Sequence, residues 1–189
     1  MKITPLWILL CVGGLLLGAC APATPPTPAA SIPGPDATAL VITSPAFGAG
    51  EAIPVQYTCD GSNTSPALTW GEPPAGTQFF ALVLTDPDAP SGGFVHWVIY
   101  NIPGTSRGLP EAISTDPQLA DGTVQGINGG RQLGYTGPCP PSGVHHYVFE
   151  LYALDASLSL EAGATKEGLL SAAQDHILAQ AELTGTYGK

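Results

Sequence analysis

Along the chain, apolar residues fall into short runs closed by glycine, proline and small polar residues, the pattern of strands joined by turns. Strands are predicted at Leu40–Thr43, Ile53–Tyr57, Ala67–Trp70, Phe79–Thr85, Val95–Asn101 and Tyr147–Leu154, segments enriched in β-branched and aromatic residues. Phe79 to Leu84 is an almost unbroken apolar run, which predicts a central strand covered on both faces. In the following strand Trp97 and Ile99 are assigned to one face and Val95 and Val98 to the other, again with no clear solvent side. One helix is predicted over Glu167–Leu183, where Leu169, Leu170, Ala173, Ile177, Leu178 and Ala181 recur near the helical period and Gly185 can act as a stop. His176 borders that stripe and reads as a packed or part-exposed helix residue. Together these make a mainly β domain with a C-terminal helix, without internal repeats and without a second domain.

The first 38 residues are set apart from that pattern. Lys2 is followed by an apolar run of twelve residues, Leu6 to Leu17, too short to span a bilayer as a helix but suited to a signal peptide. The run ends in Leu17-Gly18-Ala19-Cys20, which resembles a bacterial lipobox, so residues 1–19 are expected to be a lipoprotein signal peptide and Cys20 the lipidated residue. Acyl chains of the palmitate type on Cys20 would give stable anchoring where a single chain would not. The next fifteen residues hold six prolines, which predicts a semi-rigid tether over residues 20–38 and a folded domain over 39–189. The expected location is the cell envelope, exported and facing the periplasm or exterior.

Charge narrows the partners. The 189 residues carry a formal net charge of −10, and loss of Lys2 with the signal would leave four basic against fifteen acidic residues. There is no basic cluster of the kind that neutralises nucleic-acid phosphates, so no nucleic-acid partner is expected. Purely electrostatic attraction to anionic lipid is disfavoured for the same reason. Of the four cysteines, Cys11 leaves with the signal and Cys20 takes lipid. Cys59 and Cys139 remain, either as a disulfide, which persists in exported proteins, or as two buried thiols.

Two segments concentrate chemistry where strands end. The first runs Thr85-Asp86-Pro87-Asp88-Ala89-Pro90 and then, past a glycine turn, His96-Trp97; the second runs from Gly134-Tyr135 through Gly137-Pro138-Cys139-Pro140-Pro141 to His145-His146-Tyr147. A metal site is not favoured, because no ligand pair has helical spacing and adjacent His145 and His146 alternate faces on a strand. No cofactor is expected. Gly104-Thr105-Ser106-Arg107-Gly108 has the spacing of a nucleophile elbow, but Pro103 precedes it and Leu109-Pro110 follows where a helix is needed. A hydrolase using Ser106 or the Asp/His pair is therefore the alternative reading. The leading one is a binding pocket for a small anion, made by imidazole N–H groups, backbone N–H groups of the Gly/Pro loop and a tyrosine hydroxyl.

These motifs resemble the phosphatidylethanolamine-binding protein (PEBP) family, and within it the bacterial Raf-kinase-inhibitor-like branch. The resemblance rests on Asp86-Pro87-Asp88-Ala89-Pro90, His96-Trp97 through Asn101-Ile102-Pro103, and Gly137-Pro138-Cys139-Pro140-Pro141 through Tyr147. Tyr57-Thr58-Cys59-Asp60-Gly61 with Trp70, and Leu183-Thr184-Gly185-Thr186-Tyr187-Gly188-Lys189, add to it. It implies an antiparallel β-sandwich with Greek-key connections, and a pocket binding phosphate, phospholipid head groups or phosphorylated proteins. Some members of the family modulate kinases or proteases. By motif, Asp86, His96, His145 and Tyr147 would line the pocket, with Pro90, Gly137 and Pro138 at its rim. His146 would face outward, and Asp88 would stabilise its own turn. The chain departs from the branch at Gly126 to Arg131, where a bulky residue near Gly130 is missing; Arg131 stands either at the pocket mouth or on the surface. The expectation is a binding module, not an enzyme.

Overall fold

The computed structural model describes residues 39–90 and 92–189. The expected signal peptide, Cys20 and the proline-rich tether lie outside the described residues. Eight strands and one helix make up the domain: β1 (Ile42–Thr43), β2 (Leu68–Trp70), β3 (Phe79–Asp86), β4 (Phe94–Pro103), β5 (Gly108–Leu109), β6 (Val124–Gln125), β7 (Val144–Leu154), α1 (Lys166–Ala173) and β8 (Ile177–Gly188). They form a five-stranded antiparallel sheet in the order β6-β4-β3-β7-β8 and a three-stranded sheet, β1-β2-β5. Read as β7-β3-β4-β6, the larger sheet has the spatial order of a Greek key, its fourth strand returning beside its first.

Two apolar layers cover the large sheet. On one face Phe80, Leu82, Leu84, Trp97, Ile99, Phe149 and Leu151 pack against Ile42, Leu68, Trp70 and Leu109 of the small sheet. On the other, Ala81, Val83, Val98, Tyr100, Tyr152 and Leu154 meet Leu158, Leu169 and Ala173. Phe80 to Leu84 are fully buried. The continuous apolar run is therefore a strand with no solvent side, and it is paired with β4 along one edge and β7 along the other.

The pairing of β3 with β4 slips twice. Phe80 faces Ile102 while Leu82 faces Ile99, which leaves one extra residue on β4 near Asn101, whose φ is 55°. Leu84 faces Trp97 while Thr85 faces Val95, which leaves His96 as the extra residue. Each slip is a β-bulge, and each flips the alternation of faces. This is why Val95 and Val98, three residues apart, belong to the same apolar layer, opposite Trp97 and Ile99.

Two predicted elements are different in the structure. The helix spans only Lys166–Ala173, capped by the Thr165 hydroxyl on the Gly168 N–H, and from Ile177 onward the expected segment is β8. Ala179, Ala181 and Leu183 pack into the inter-sheet core while Gln180, Glu182 and Thr184 alternate with them, a period of two that the helical reading passed over. Eleven residue pairs join β8 to β7, and this long-range pairing outweighs local helical preference. His176 falls between the two elements and donates from Nδ1 to Asp155 at 2.8 Å. The expected strand Ile53–Tyr57 is instead a 3-10 turn, Val55–Tyr57, entered through Pro54, which cannot donate to a ladder. The two-residue strands β5 and β6 had no pattern long enough to reveal them.

Cys59 and Cys139 are joined, with Cα atoms 5.4 Å apart and a sequence separation of 80. Closing a loop of that length in the unfolded chain contributes on the order of 4 kcal/mol. Reduction is expected to lower the urea midpoint by a corresponding amount in the wild type and to leave a Cys59→Ala/Cys139→Ala variant unmoved. Equal sensitivity of both proteins to the reductant would contradict the assignment.

Candidate functional site

The C-terminal end of β3 and the N-terminal ends of β4 and β7 meet at one end of the large sheet, and the loop over residues 134–141 closes over them. Asp86 ends β3 and is buried. Its Oδ1 accepts the Asp88 N–H at 2.9 Å and its Oδ2 accepts from His145 Nδ1 at 2.8 Å, so both carboxylate oxygens are held. The turn-stabilising bond thus belongs to Asp86, not to Asp88. Asp88 instead accepts from His146, at 2.8 Å from the backbone N–H and 2.7 Å from Nδ1. These bonds hold the Asp88 carboxyl below its ordinary value. An Asp-x-Asp sequence on one strand end is therefore clasped by adjacent histidines on another, and His146 faces outward as expected.

His96 owes its position to the bulge. Without the extra residue, alternation would place His96 opposite Trp97 and away from the inter-sheet face; with it, both lie on that face. The ring stands edge-on to Phe94 and Tyr147, with centroids 4.8 and 5.2 Å away. Nδ1 donates to the Thr136 carbonyl at 2.8 Å, and the His96 carbonyl accepts the Thr136 N–H at 2.9 Å, which clamps the strand to the overlying loop. That bond makes Nε2 the ring nitrogen left for a ligand. Burial pushes the His96 imidazole below its ordinary pKa, partly offset by the Thr136 carbonyl, Asp86 and the Gly137 carbonyl.

These groups border a cleft of about 230 Å³. Of the predicted residues, Asp86, Pro90, His96 and Gly137 line it. Pro138, His145 and Tyr147 are not among its lining residues. Pro138 accepts the Cys59 N–H through its carbonyl at 3.0 Å, and His145 backs Asp86. Tyr147 is fully buried, and its hydroxyl has no hydrogen-bond partner among the described residues. Burial first, and Asp86 second, push its pKa well above the usual phenol value, so it stays protonated. Phe94, Thr136 and Cys139 also line the cleft. Thr136 and Cys139 lie within the loop already singled out, whereas Phe94 had no chemical signal. Its nearest clue was the glycine stretch, because a Cβ on Gly129 would lie 2.7 Å from the Phe94 ring.

The wall loop is seated by tight backbone contacts. A side chain at Gly137 would strike the Tyr57 carbonyl, and the Gly137 N–H donates to Asn63 Oδ1 at 2.7 Å. The buried Tyr135 hydroxyl donates to the same Tyr57 carbonyl at 2.6 Å. Arg131 is exposed at φ 62° and does not line the cleft. Ser106 lies just past β4, whose Pro103 pairs with Phe79 while Phe94 pairs with Asp86 at the cleft end. Seven residues of strand separate the two ends, about 23 Å, so Ser106 does not share a site with the histidines. Among the described residues no three His, Cys, Asp or Glu side chains converge as a metal cage.

Comparison with known proteins adds to this geometry. The family model described as phosphatidylethanolamine-binding protein matches residues 43–188. A UPF0098 protein of Methanothermobacter thermautotrophicus is 53% identical over 142 residues, covering 75% of this chain and 94% of that protein. A Mycobacterium tuberculosis protein named "Putative lipoprotein LppC" is 43% identical over 161 residues, covering 84% of this chain and 77% of that one. The crystal structure of CT736 from Chlamydia trachomatis, described as a PEBP homologue, superposes with a TM-score of 0.74 at 41% identity, covering 80% of this chain and 98% of that one. E. coli YbcL, described as a member of the mammalian PEBP family, gives 0.73 at 33% identity, covering 79% and 98%.

The depressed His96 pKa has a consequence for stability. Between its folded value and the ordinary value near 6.5, the unfolded chain binds the proton that the folded one refuses. Stability is expected to fall as pH drops through 6.5 and to stop falling, for this group, below the folded value. Urea midpoints measured across that range should lose this component in His96→Gln.

Proposed function

The chain belongs to the phosphatidylethanolamine-binding protein family, and on that premise we propose that it is an exported, lipid-anchored binding module that captures a small anionic or phosphorylated group in the His96 cleft. The observation that carries this reading is the placement of His96, a bulged residue whose Nδ1 is committed to Thr136 and whose Nε2 remains for a ligand. The cleft is small, largely apolar, and has a few directed polar groups, which suits a head group or phosphate ester.

The capture works through a proton. Burial favours the neutral form of the His96 ring. A monoprotonated phosphate donates its O–H to Nε2, or passes the proton across and binds as a phosphate–imidazolium pair with a charge-assisted hydrogen bond. Both routes bring one proton with the ligand and avoid placing a bare anion beside an uncharged ring. Asp86 would repel an anion if left alone, but its two oxygens are turned to His145 and to the Asp88 N–H. Binding, without turnover, is the activity proposed. The hydrolase alternative at Ser106 is not favoured, because that residue lies at the other end of the sheet.

Phosphate or phosphoethanolamine is expected to raise the NMR titration midpoint of the His96 ring and to shift its signals, with His96→Ala abolishing saturable binding. An unmoved His96 signal at saturating phosphate would sink the reading. Membrane attachment is proposed from the Leu17-Gly18-Ala19-Cys20 sequence together with the lipoprotein naming of a relative. Cys20→Ser is expected to move the protein from the membrane to the soluble envelope fraction; undiminished membrane retention counts against the anchor.

A further inference from the structure

The Cys59–Cys139 bridge has two unlike sides. Both cysteines are exposed, but Cys139 lines the His96 cleft and Cys59 does not. Beyond the end of β8, Lys189 places its ammonium 3.7 Å from Cys59 Sγ and 3.9 Å from Cys139 Sγ. Lys189 is held there by Asp60 Oδ1 at 3.2 Å and by paired backbone hydrogen bonds with Gly143. Asp60 is held in turn by the Tyr187 hydroxyl at 2.7 Å. A disulfide that is open to solvent and lies beside a fixed cation is suited to exchange, because the cation stabilises the thiolate that must leave.

We propose that the bridge is a thiol-exchange site in which a low-molecular-weight thiol attacks Cys139 from the ligand cleft. The thiolate lone pair forms a new S–S bond to Cys139 Sγ. The Cys59–Cys139 bond breaks, and its electron pair leaves on Cys59 as a thiolate that the Lys189 ammonium neutralises. A second thiolate, attacking the added sulfur, releases Cys139 as a thiolate and carries off the small-molecule disulfide. Two thiols are thereby oxidised and one protein disulfide is reduced. The intermediate holds its adduct in the cleft, where it excludes any other occupant.

The wall does not depend on the bridge alone. The Cys59 N–H to Pro138, Gly137 N–H to Asn63 and Tyr135 hydroxyl to Tyr57 bonds hold the same two loops together. Exchange therefore changes what the cleft contains while the fold persists. That a bound anion and the adduct compete rests on the binding reading above; the exchange itself does not.

The test treats the full chain with reduced glutathione, traps free thiols by alkylation and maps the products by peptide mass spectrometry. The glutathione adduct is expected on Cys139 with the free thiol on Cys59, and the amide NMR spectrum of the adduct stays dispersed. Lys189→Gln slows adduct formation about three- to tenfold, and Lys189→Arg restores most of the rate. Inorganic phosphate in excess slows it in the wild type. An adduct on Cys59, an even distribution over both cysteines, a Lys189→Gln rate equal to wild type, or loss of dispersion overturns the proposal. An adduct on Cys139 whose formation ignores phosphate leaves the exchange standing and counts against the anion reading.

Discussion

A strand with both edges paired and both faces buried leaves its neighbours little freedom of register, and β3 is such a strand. Phe80 to Leu84 are sealed from solvent, β4 and β7 bond to its two edges, and apolar layers cover both sides. A shift of β7 by one residue would exchange the two layers, moving Phe149 and Leu151 to the face where Tyr152 and Leu154 now pack. The adaptation falls on β4, which carries both bulges. One, at Asn101, admits the loop that lays Leu158 on the second core, through bonds of 3.0 and 2.8 Å between the Asn101 side chain and the Leu158 backbone. The other delivers His96 to the cleft. The rigidity of the centre and the irregularity of the site thus have one origin.

The electrostatics of the site follow from the same placement. A chain with a formal charge of −10 repels anions at a distance, and among the described residues no lysine or arginine lines the cleft. On the proposed reading, a negative group in the cleft would be held by directed donors at contact range. Burial disfavours the charged form of the His96 ring, and both Asp86 oxygens are taken up by their own partners. Tyr147, whose ring lies edge-to-face with that of His96, is the exception: its buried hydroxyl has no hydrogen-bond partner among the described residues.

The wall of the cleft joins distant parts of the chain. Residues 57–63, the loop around Gly137 and the end of β8 converge there through one disulfide, the Tyr135 and Asn63 hydrogen bonds and the Asp60–Lys189–Tyr187 cluster. Gly137 is the position where two backbones come too close for any side chain. Small changes in this wall therefore reach the cleft directly, without passing through the cores.

Much of this was legible in the residues. The unbroken run Phe79–Leu84 can only be a strand covered twice, because no exposed face would tolerate it. The histidines at strand starts, and the Gly/Pro loop between them, marked the end of the sheet where the cleft opens, because strand ends and rigid loops are where polar groups can escape the core. Other decisions belonged to the tertiary structure. Lys166 to Leu183 carries both a helical and an alternating pattern, and only the presence of the open β7 edge chose the strand for its second half. His96 and Tyr147 both looked like cleft residues. The bulge set one at the surface of the cleft and ordinary alternation set the other beneath it, a difference that depends on register between strands and is invisible in either strand alone. Cys59 and Cys139 were two thiols or one bridge until the fold brought their Cα atoms to 5.4 Å, since distance in space across 80 residues is a property of topology and not of spacing.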